Sequence, residues 1–454
     1  MYAKLLFEIH PTLVEQRFLS TDVGKIYQAI PWQELAALVP PPPHAQSGLG
    51  CKPWLNVQGG IALLLLKHYL QLSDAKLMER INTDWSLQYF CGIQLKATEA
   101  IGDKDLPSWW RSYIGKHLNI GRWQKKLAVS WKPYMQQTQT TSQDATCYES
   151  RIAFPTDVKL LWQGCAEVYA MIQGILNKQG RRRSRANHAL RKKEYLSYQK
   201  SRKKTRRAEK KLRRKLLKYL QRLFGLHQVL CSKYNITLSH SKSKRLLTIG
   251  KVHEQQFRKL HGEKIEHRIV SISKAYIRPI IRGKETKTVE FGAKVNKIQT
   301  DGISFIERLS YDAFNEGTCL QNGIRLHQEL FGTCRQFSGD AIYATNQNRK
   351  YLKKKGIVHN FTPKGRQKAE HIGQNKLMTA LLNKERGTKL EGSFGNEKNH
   401  YLLNKVNARN QTTETCWIFF GIHTANAVNI GRRMESEQLQ KAHPPPQRKL
   451  RLAA

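Results

Sequence analysis

The chain has 454 residues, and its 78 Lys and Arg outnumber 34 Asp and Glu to give a formal charge of +44. Such a length supports two or three domains with a sizeable core. The charge excludes an ordinary metabolic enzyme and points to a polyanionic partner, nucleic acid first and an anionic membrane surface second.

Residues 1–122 read as an all-α N-terminal domain. Trp32, Leu35, Ala36 and Val39 fall at helical spacing behind Pro31, a residue suited to a first helical position. Pro40–Pro43 ends that helix and makes a stiff break. A second helix runs from Trp54 to Tyr69, and Ser73 is a good N-cap for a third over Asp74–Asp84. The short turn between them fits a helix-turn-helix unit and an ordinary bundle equally well. The longest apolar run, Ile61–Leu66, is far below the roughly 18 residues that span a bilayer, so no membrane is expected. Met1–Phe7 carries no signal-peptide cleavage pattern, and the eight cysteines are scattered without a CxxC pair. A cytoplasmic protein with reduced thiols follows. Trp85, Tyr89, Phe90, Trp109, Trp110 and Trp123 read mostly as core, with base stacking as the alternative.

A strand is expected over Leu127–Tyr134, and another on or beside Asp144. A helix then runs through Leu161, Cys165, Val168, Met171 and Ile175, with Asp157 as its capping acid. Residues 178–222 are the most biased part of the chain, with only Glu194 and Glu209 opposing the cations. Leu212, Leu216, Leu220 and Leu223 at helical spacing give one or two long basic helices there, or a segment ordered only on binding phosphate. Arg181, Arg182 and Arg183 begin this stretch. Strands resume at Arg268–Ile272, and Val289–Val295 pairs with Ser304–Leu309 across an Asp301-Gly302 turn. Arg278, Arg282 and Lys284 form a second basic cluster before that hairpin, suited to phosphate contact. A helix over 317–330, a strand ending at Asp340, a helix over 346–355 and a strand over 357–361 follow. The pattern is then helical to about Asn404, with a last apolar helix over Thr413–Ile430 and a disordered basic tail over 431–454.

Three acids stand where an α/β domain exposes side chains: Asp144, Asp340 and Glu391. Carboxylates that converge repel one another unless divalent cations neutralise them, and magnesium accepts a few carboxylates together with substrate phosphates. Two such ions can activate a water and stabilise the leaving oxygen of a phosphodiester. Glu391 and Lys398 are seven residues apart, which on an α-helix puts them on one face about 10 Å apart along the axis. A carboxylate and a cation so placed could serve a metal and a phosphate together. Glu397 reads as solvent-facing, and Glu149 as facing away from Asp144 along a regular strand.

These residues carry a resemblance. Asp144-Ala145-Thr146 with Tyr148-Glu149-Ser150, Phe154-Pro155-Thr156-Asp157, Ile269-Val270-Ser271, Arg278-Pro279-Ile280, Arg282-Gly283-Lys284, Glu290-Phe291-Gly292-Ala293-Lys294, Gly339-Asp340-Ala341-Ile342-Tyr343 and Glu391-Gly392-Ser393-Phe394-Gly395 with Lys398 occur in one order. Together with Leu72–Ile93 they make the chain similar to the DDE transposases of bacterial insertion sequences, in the insertion-sequence-five-like group. The resemblance implies an α/β ribonuclease-H-like catalytic domain over 123–430, with a long basic helical insertion at about 158–265. It implies Asp144, Asp340 and Glu391 as catalytic ligands of two Mg²⁺ or Mn²⁺ ions, and Lys398 on a DNA phosphate. It further implies cleavage at terminal repeats, strand transfer to target double-stranded DNA, a homodimer or larger assembly on DNA, and a place at the bacterial nucleoid. Related members carry an arginine one turn before the glutamate; Arg386 and Lys389 both stand near that place, and the sequence does not choose between them. A non-catalytic DNA-binding protein, such as a decayed transposase or repressor, and a metal-dependent nuclease without strand transfer are the alternatives.

Overall fold

A computed structural model of the chain describes residues 11–43, 53–182, 184, 186–281, 288–365 and 369–442. The chain divides into two compact units. The first comprises Met1–Ser150, Lys294–Ser310 and Phe314–Ala454; the second comprises Arg151–Ala293 and Tyr311–Ala313. The strands, in chain order, are β1 (Thr140–Ser150), β2 (Pro279–Ile281), β3 (Val289–Thr300), β4 (Ile303–Ser310), β5 (Gln336–Gly339), β6 (Val358–His359) and β7 (Lys405–Val406).

In the first unit β1 is the central strand. It lies beside β3 and pairs in parallel with β5, which pairs in parallel with β6. The start of β7 runs parallel to the end of β1, and β4 returns antiparallel on β3. The β3–β4 turn is as the sequence predicts: Asp301 and Gly302 both take positive φ, 49° and 78°, which a two-residue hairpin of this twist requires.

The N-terminal helices share this unit's core rather than forming a body of their own. Helix Val57–Leu70 is buried all round at Ile61–Leu66, as an apolar helix must be. It packs on Leu106–His117 and on the long helix Gln411–Ala442. Gln124 donates to the Ile306 carbonyl at 3.0 Å, and Trp131 donates to the Ala29 carbonyl at 2.6 Å. Three expectations change here. Leu127–Tyr134 is not a strand: Ile120–Trp131 is a helix capped by Asn119, burying Trp123, Leu127, Ala128 and Trp131 at helical spacing. The last helix runs on past 430 to Ala442, so a disordered tail does not begin at 431; residues 443–454 lie outside the described residues. Trp85 and Trp109 are partly exposed, whereas Phe90, Trp110 and Trp123 are core.

The second unit is a helical body. Helices Asp157–Lys178, Arg206–Lys233 and His240–Leu260 enclose Leu161, Cys165, Val168, Ile172, Leu216, Leu220, Ile249 and Val252. A further helix, His188–Lys200, has no buried residue. Thr156, not Asp157, caps the first helix. Asp157 is buried: Lys259 reaches it at 2.5 Å, Arg268 at 2.7 Å and Gln256 at 2.9 Å. Burial pushes its carboxyl up, but these donors outweigh that and hold it below the usual carboxylate range. The expected strand Arg268–Ile272 is irregular instead. Its backbone is satisfied by a side chain, since Gln255 both accepts from the Ile269 N–H at 2.7 Å and donates to the Ile269 carbonyl at 3.1 Å.

One buried ion pair ties the first unit's sheet to its helices. Lys297 on β3, wholly buried, donates to Glu397 and to the Ser393 hydroxyl at 2.8 Å, and its ammonium lies 4.3 Å from the Phe394 ring centroid. Tyr148 on β1 donates its hydroxyl to the second oxygen of Glu397. Glu397 is therefore core, not solvent-facing as its sequence surroundings suggest. Breaking a buried pair from one side leaves a bare charge, which costs about 3–5 kcal/mol, while removing both charges is often neutral. Lys297→Met should therefore destabilise the protein by that amount, and Lys297→Met combined with Glu397→Leu should regain most of it in urea unfolding. Equal losses in the single and double variants would show that the pair is not the interaction that matters.

Candidate functional site

The site is built on β1 and its parallel neighbour. Their register pairs Ser142 with Ser338 and Gln143 with Gly339, and the two serine hydroxyls meet at 2.6 Å. The next residue in each segment is an acid, Asp144 on β1 and Asp340 just past β5. Asn360, beyond β6, fixes the end of β5 by accepting from the Gly339 N–H at 3.0 Å and donating to its carbonyl at 2.9 Å. Asp340 then caps the short helical turn Ala341–Tyr343, accepting from the Ala341 N–H at 2.7 Å, with its side chain exposed.

Glu391 arrives from the helical side by an unusual path. Helix Ala369–Glu385 passes into a wide turn, Arg386–Glu391, before helix Gly392–His400 continues. A π turn brings residues i and i+5 together, and such turns concentrate at functional sites. Here it aligns Arg386 with Glu391 at 2.8 Å, and the same guanidinium nitrogen lies 3.7 Å from Asp144. Arg386, rather than Lys389, is thus the arginine of the site; Lys389 is turned to Glu385 at 3.1 Å and to Asp301 at 3.7 Å. The expectation of a continuous α-helix through Glu391 is corrected by this turn.

The electrostatics follow from the crowding. Asp144 is four-fifths buried, and its carboxyl is pushed up to about 6, first by burial and then by the nearby charges of Glu316 and Asp340; the Ala145 N–H and Arg386 act against this. Glu316 is a fourth acid of the site, held by Lys294 of β3 at 2.7 Å. Its only sequence signal is a lysine inside an apolar strand. Lys398 lies on the same side of β1 as Asp144: it donates to the Thr146 hydroxyl at 2.9 Å, and Thr146 is two residues along the strand. Glu149, of opposite parity, pairs outward with Lys405 at 2.7 Å.

Asp144, Asp340, Glu391, Arg386 and Lys398 thus belong to one unit. Among the described residues, no group of three or more His, Cys, Asp or Glu side chains is arranged as it stands to hold a metal ion. The other expected contact residues have their own surroundings. Arg278, in the second unit, donates to the Ile277 carbonyl at 3.0 Å and faces Asp312 at 3.8 Å. Arg181 and Arg182 are exposed beyond helix Asp157–Lys178. Arg183, Arg282 and Lys284 lie outside the described residues.

Residues 14–112 match a family described as Transposase domain (DUF772). No curated protein and no solved structure matches the chain. The match covers the N-terminal helices, which are thus similar to a transposase domain. Among the described residues no helix is long and apolar enough to cross a membrane.

The raised Asp144 carboxyl has a measurable consequence. A carboxyl whose folded value lies above its unfolded value binds more protons when folded, so stability falls as pH rises from about 4 to about 6. Asp144→Asn removes this slope. The variant should gain roughly 3 kcal/mol over the wild type near pH 7 and little near pH 4 in chemical denaturation. A gain independent of pH would exclude this origin.

Proposed function

We propose that the chain is a DNA transposase of the DDE type, with its first unit carrying a ribonuclease-H-like site that cuts element ends and joins them to target DNA. The observation that carries this reading is the placement of Asp144 on β1 and Asp340 just past β5, each one residue beyond the last paired residues of these parallel strands, with Glu391 reached through Arg386. The transposase-domain match over residues 14–112 and the +44 charge support it from outside the site.

The donor set suits a hard cation. It is all oxygen, and the Asp144 carboxyl is held up by burial and neighbouring acids, a strain that a nearby positive charge relieves. Magnesium or manganese would be held by Asp144, Asp340 and Glu391, needing few protein ligands because substrate phosphates complete the set. Bound there, two such ions supply activation of the attacking oxygen and stabilisation of the leaving one.

The chain's own groups do the rest. Asp340 is exposed, while Asp144 stays fixed on the central strand. Arg386 already bridges Asp144 and Glu391, and with DNA bound its guanidinium would take up phosphate charge. Lys398, on the same side of β1, positions the backbone. In the first reaction water attacks phosphorus, the P–O3′ bond breaks, and a 3′-hydroxyl and a 5′-phosphate result. In the second that hydroxyl attacks a target phosphodiester, so one bond forms as one breaks.

Asp144→Asn should abolish divalent-metal-dependent cleavage of DNA bearing the element's ends, by at least 1000-fold on the scale of lost catalytic groups, while DNA binding stays near wild type. Retained cleavage would refute the assignment of Asp144. Cleavage by the wild type without any joined product would leave a nuclease, and binding without cleavage would leave a repressor-like protein.

A further inference from the structure

Helix His188–Lys200 in the second unit has two unlike sides. One side is pinned. Tyr195 stacks on Trp162 at 5.0 Å and 14° between planes. His188 stacks on Tyr169 at 3.9 Å and 2°, and its Nδ1 is 3.0 Å from the Tyr219 hydroxyl. Glu194 is shared between Arg191 and Lys215, the latter at 2.6 Å. Aromatic stacking of this kind and a shared carboxylate fix the rotation of a short helix about its axis.

The opposite side is open. Ala189, Lys192, Lys193, Leu196, Ser197 and Lys200 line one shallow groove there, and every one of them is exposed. These positions recur every three or four residues, so they form a single stripe. Both nearby acids are engaged elsewhere: Glu194 as above, and Glu209 at 3.9 Å from Arg213. The stripe runs on into Ser201, Arg202 and Lys203, all exposed.

We infer that this lysine stripe is a docking surface for the phosphate backbone of duplex DNA. Cations held in a fixed row with no acid beside them carry a cost of mutual repulsion, which a polyanion removes. Lys192 and Lys200 are eight residues apart, roughly 12 Å along the axis, and the major groove of DNA is about 12 Å wide. The stripe can therefore contact phosphates on both sides of that groove. Leu196 and Ala189 in the groove, with Leu190 exposed on the same helix, are the apolar side chains here, too few for a lipid surface to be the favoured partner. The small side chains Ala189 and Ser197 let a backbone approach closely between the lysines. The inference deepens the DNA-handling part of the reading above and does not use its catalytic chemistry.

The test uses the full chain, a duplex of unrelated sequence, and salt titration between about 50 and 200 mM. Each phosphate contact adds about 0.9 to the slope of log affinity against log salt. Lys192→Ala, Lys193→Ala and Lys200→Ala together should lower that slope by roughly 2–3, with helix content by circular dichroism unchanged. The triple Lys→Arg variant should keep the wild-type slope. An unchanged slope in the alanine variant overturns the inference. So does a loss confined to single-stranded RNA or to vesicles containing anionic lipid. A lowered slope in the alanine variant, with wild-type protein that never cuts DNA, ends the catalytic reading alone; wild-type protein that cuts, with an unaltered slope in the alanine variant, ends this inference alone.

Discussion

Negative charge converges on this site from several elements, and a single guanidinium bridges two of the carboxylates. Arg386 spans Asp144 and Glu391, residues far apart in the chain, because a wide helical turn aligns it with the glutamate while the strand presents the aspartate. Without that cation, Asp144 would face Glu316 and Asp340 with the Ala145 N–H and the Lys297 ammonium to offset them. The position of Glu391 and part of the electrostatic balance at Asp144 rest on this bridge. It is also the contact that an incoming phosphate and its counter-ions would have to compete with.

The bridge is held by a scaffold that leaves little freedom. The helix after Glu391 is locked to β1 and β3 through Glu397, Lys297 and Tyr148, all buried. A buried ion pair is a poor source of net stability against well-packed apolar groups, but it accepts one geometry. That selectivity suits a helix which presents Glu391 at one end and Lys398 at the other. Farther out, the last long helix packs on Asp22–Gln28, Val57–Leu70 and Leu106–His117. The helices that match a transposase domain and the acids of the site are therefore parts of one hydrophobic body. The basic helices form the other compact unit, with its own core around Leu161, Leu216 and Ile249.

Much of this was legible in the residues where local chemistry decides. Asp301-Gly302 marked its hairpin because few other pairs accept two positive φ angles. Ser73 capped its helix as expected, accepting from the Lys76 N–H at 3.2 Å. Asp144, Asp340 and Glu391 could be nominated from their order and their places at strand and helix ends. What escaped depends on partners distant in the chain. Glu397 looked solvent-facing because nothing near it in sequence announces Lys297. Glu316 had no visible role until Lys294 and β1 were set beside it. Arg386 and Lys389 could not be separated because an α-helical reading hides a π turn, and only the wider turn puts i and i+5 in line. Residues 127–134 misled because Trp123, Leu127, Ala128 and Trp131 reveal their helical period only when the window begins before the apolar run.

The central claim is that Asp144 and Asp340 share a cation site which Arg386 guards in the free protein. Its most direct measurement is a crystal structure of the protein on duplex DNA with Mn²⁺, located by anomalous scattering. Manganese density bonded to carboxylate oxygens of Asp144 and Asp340, with Arg386 turned to a phosphate, is the predicted result. Manganese bound elsewhere, or Arg386 still bridging Asp144 and Glu391 with DNA in place, would contradict it.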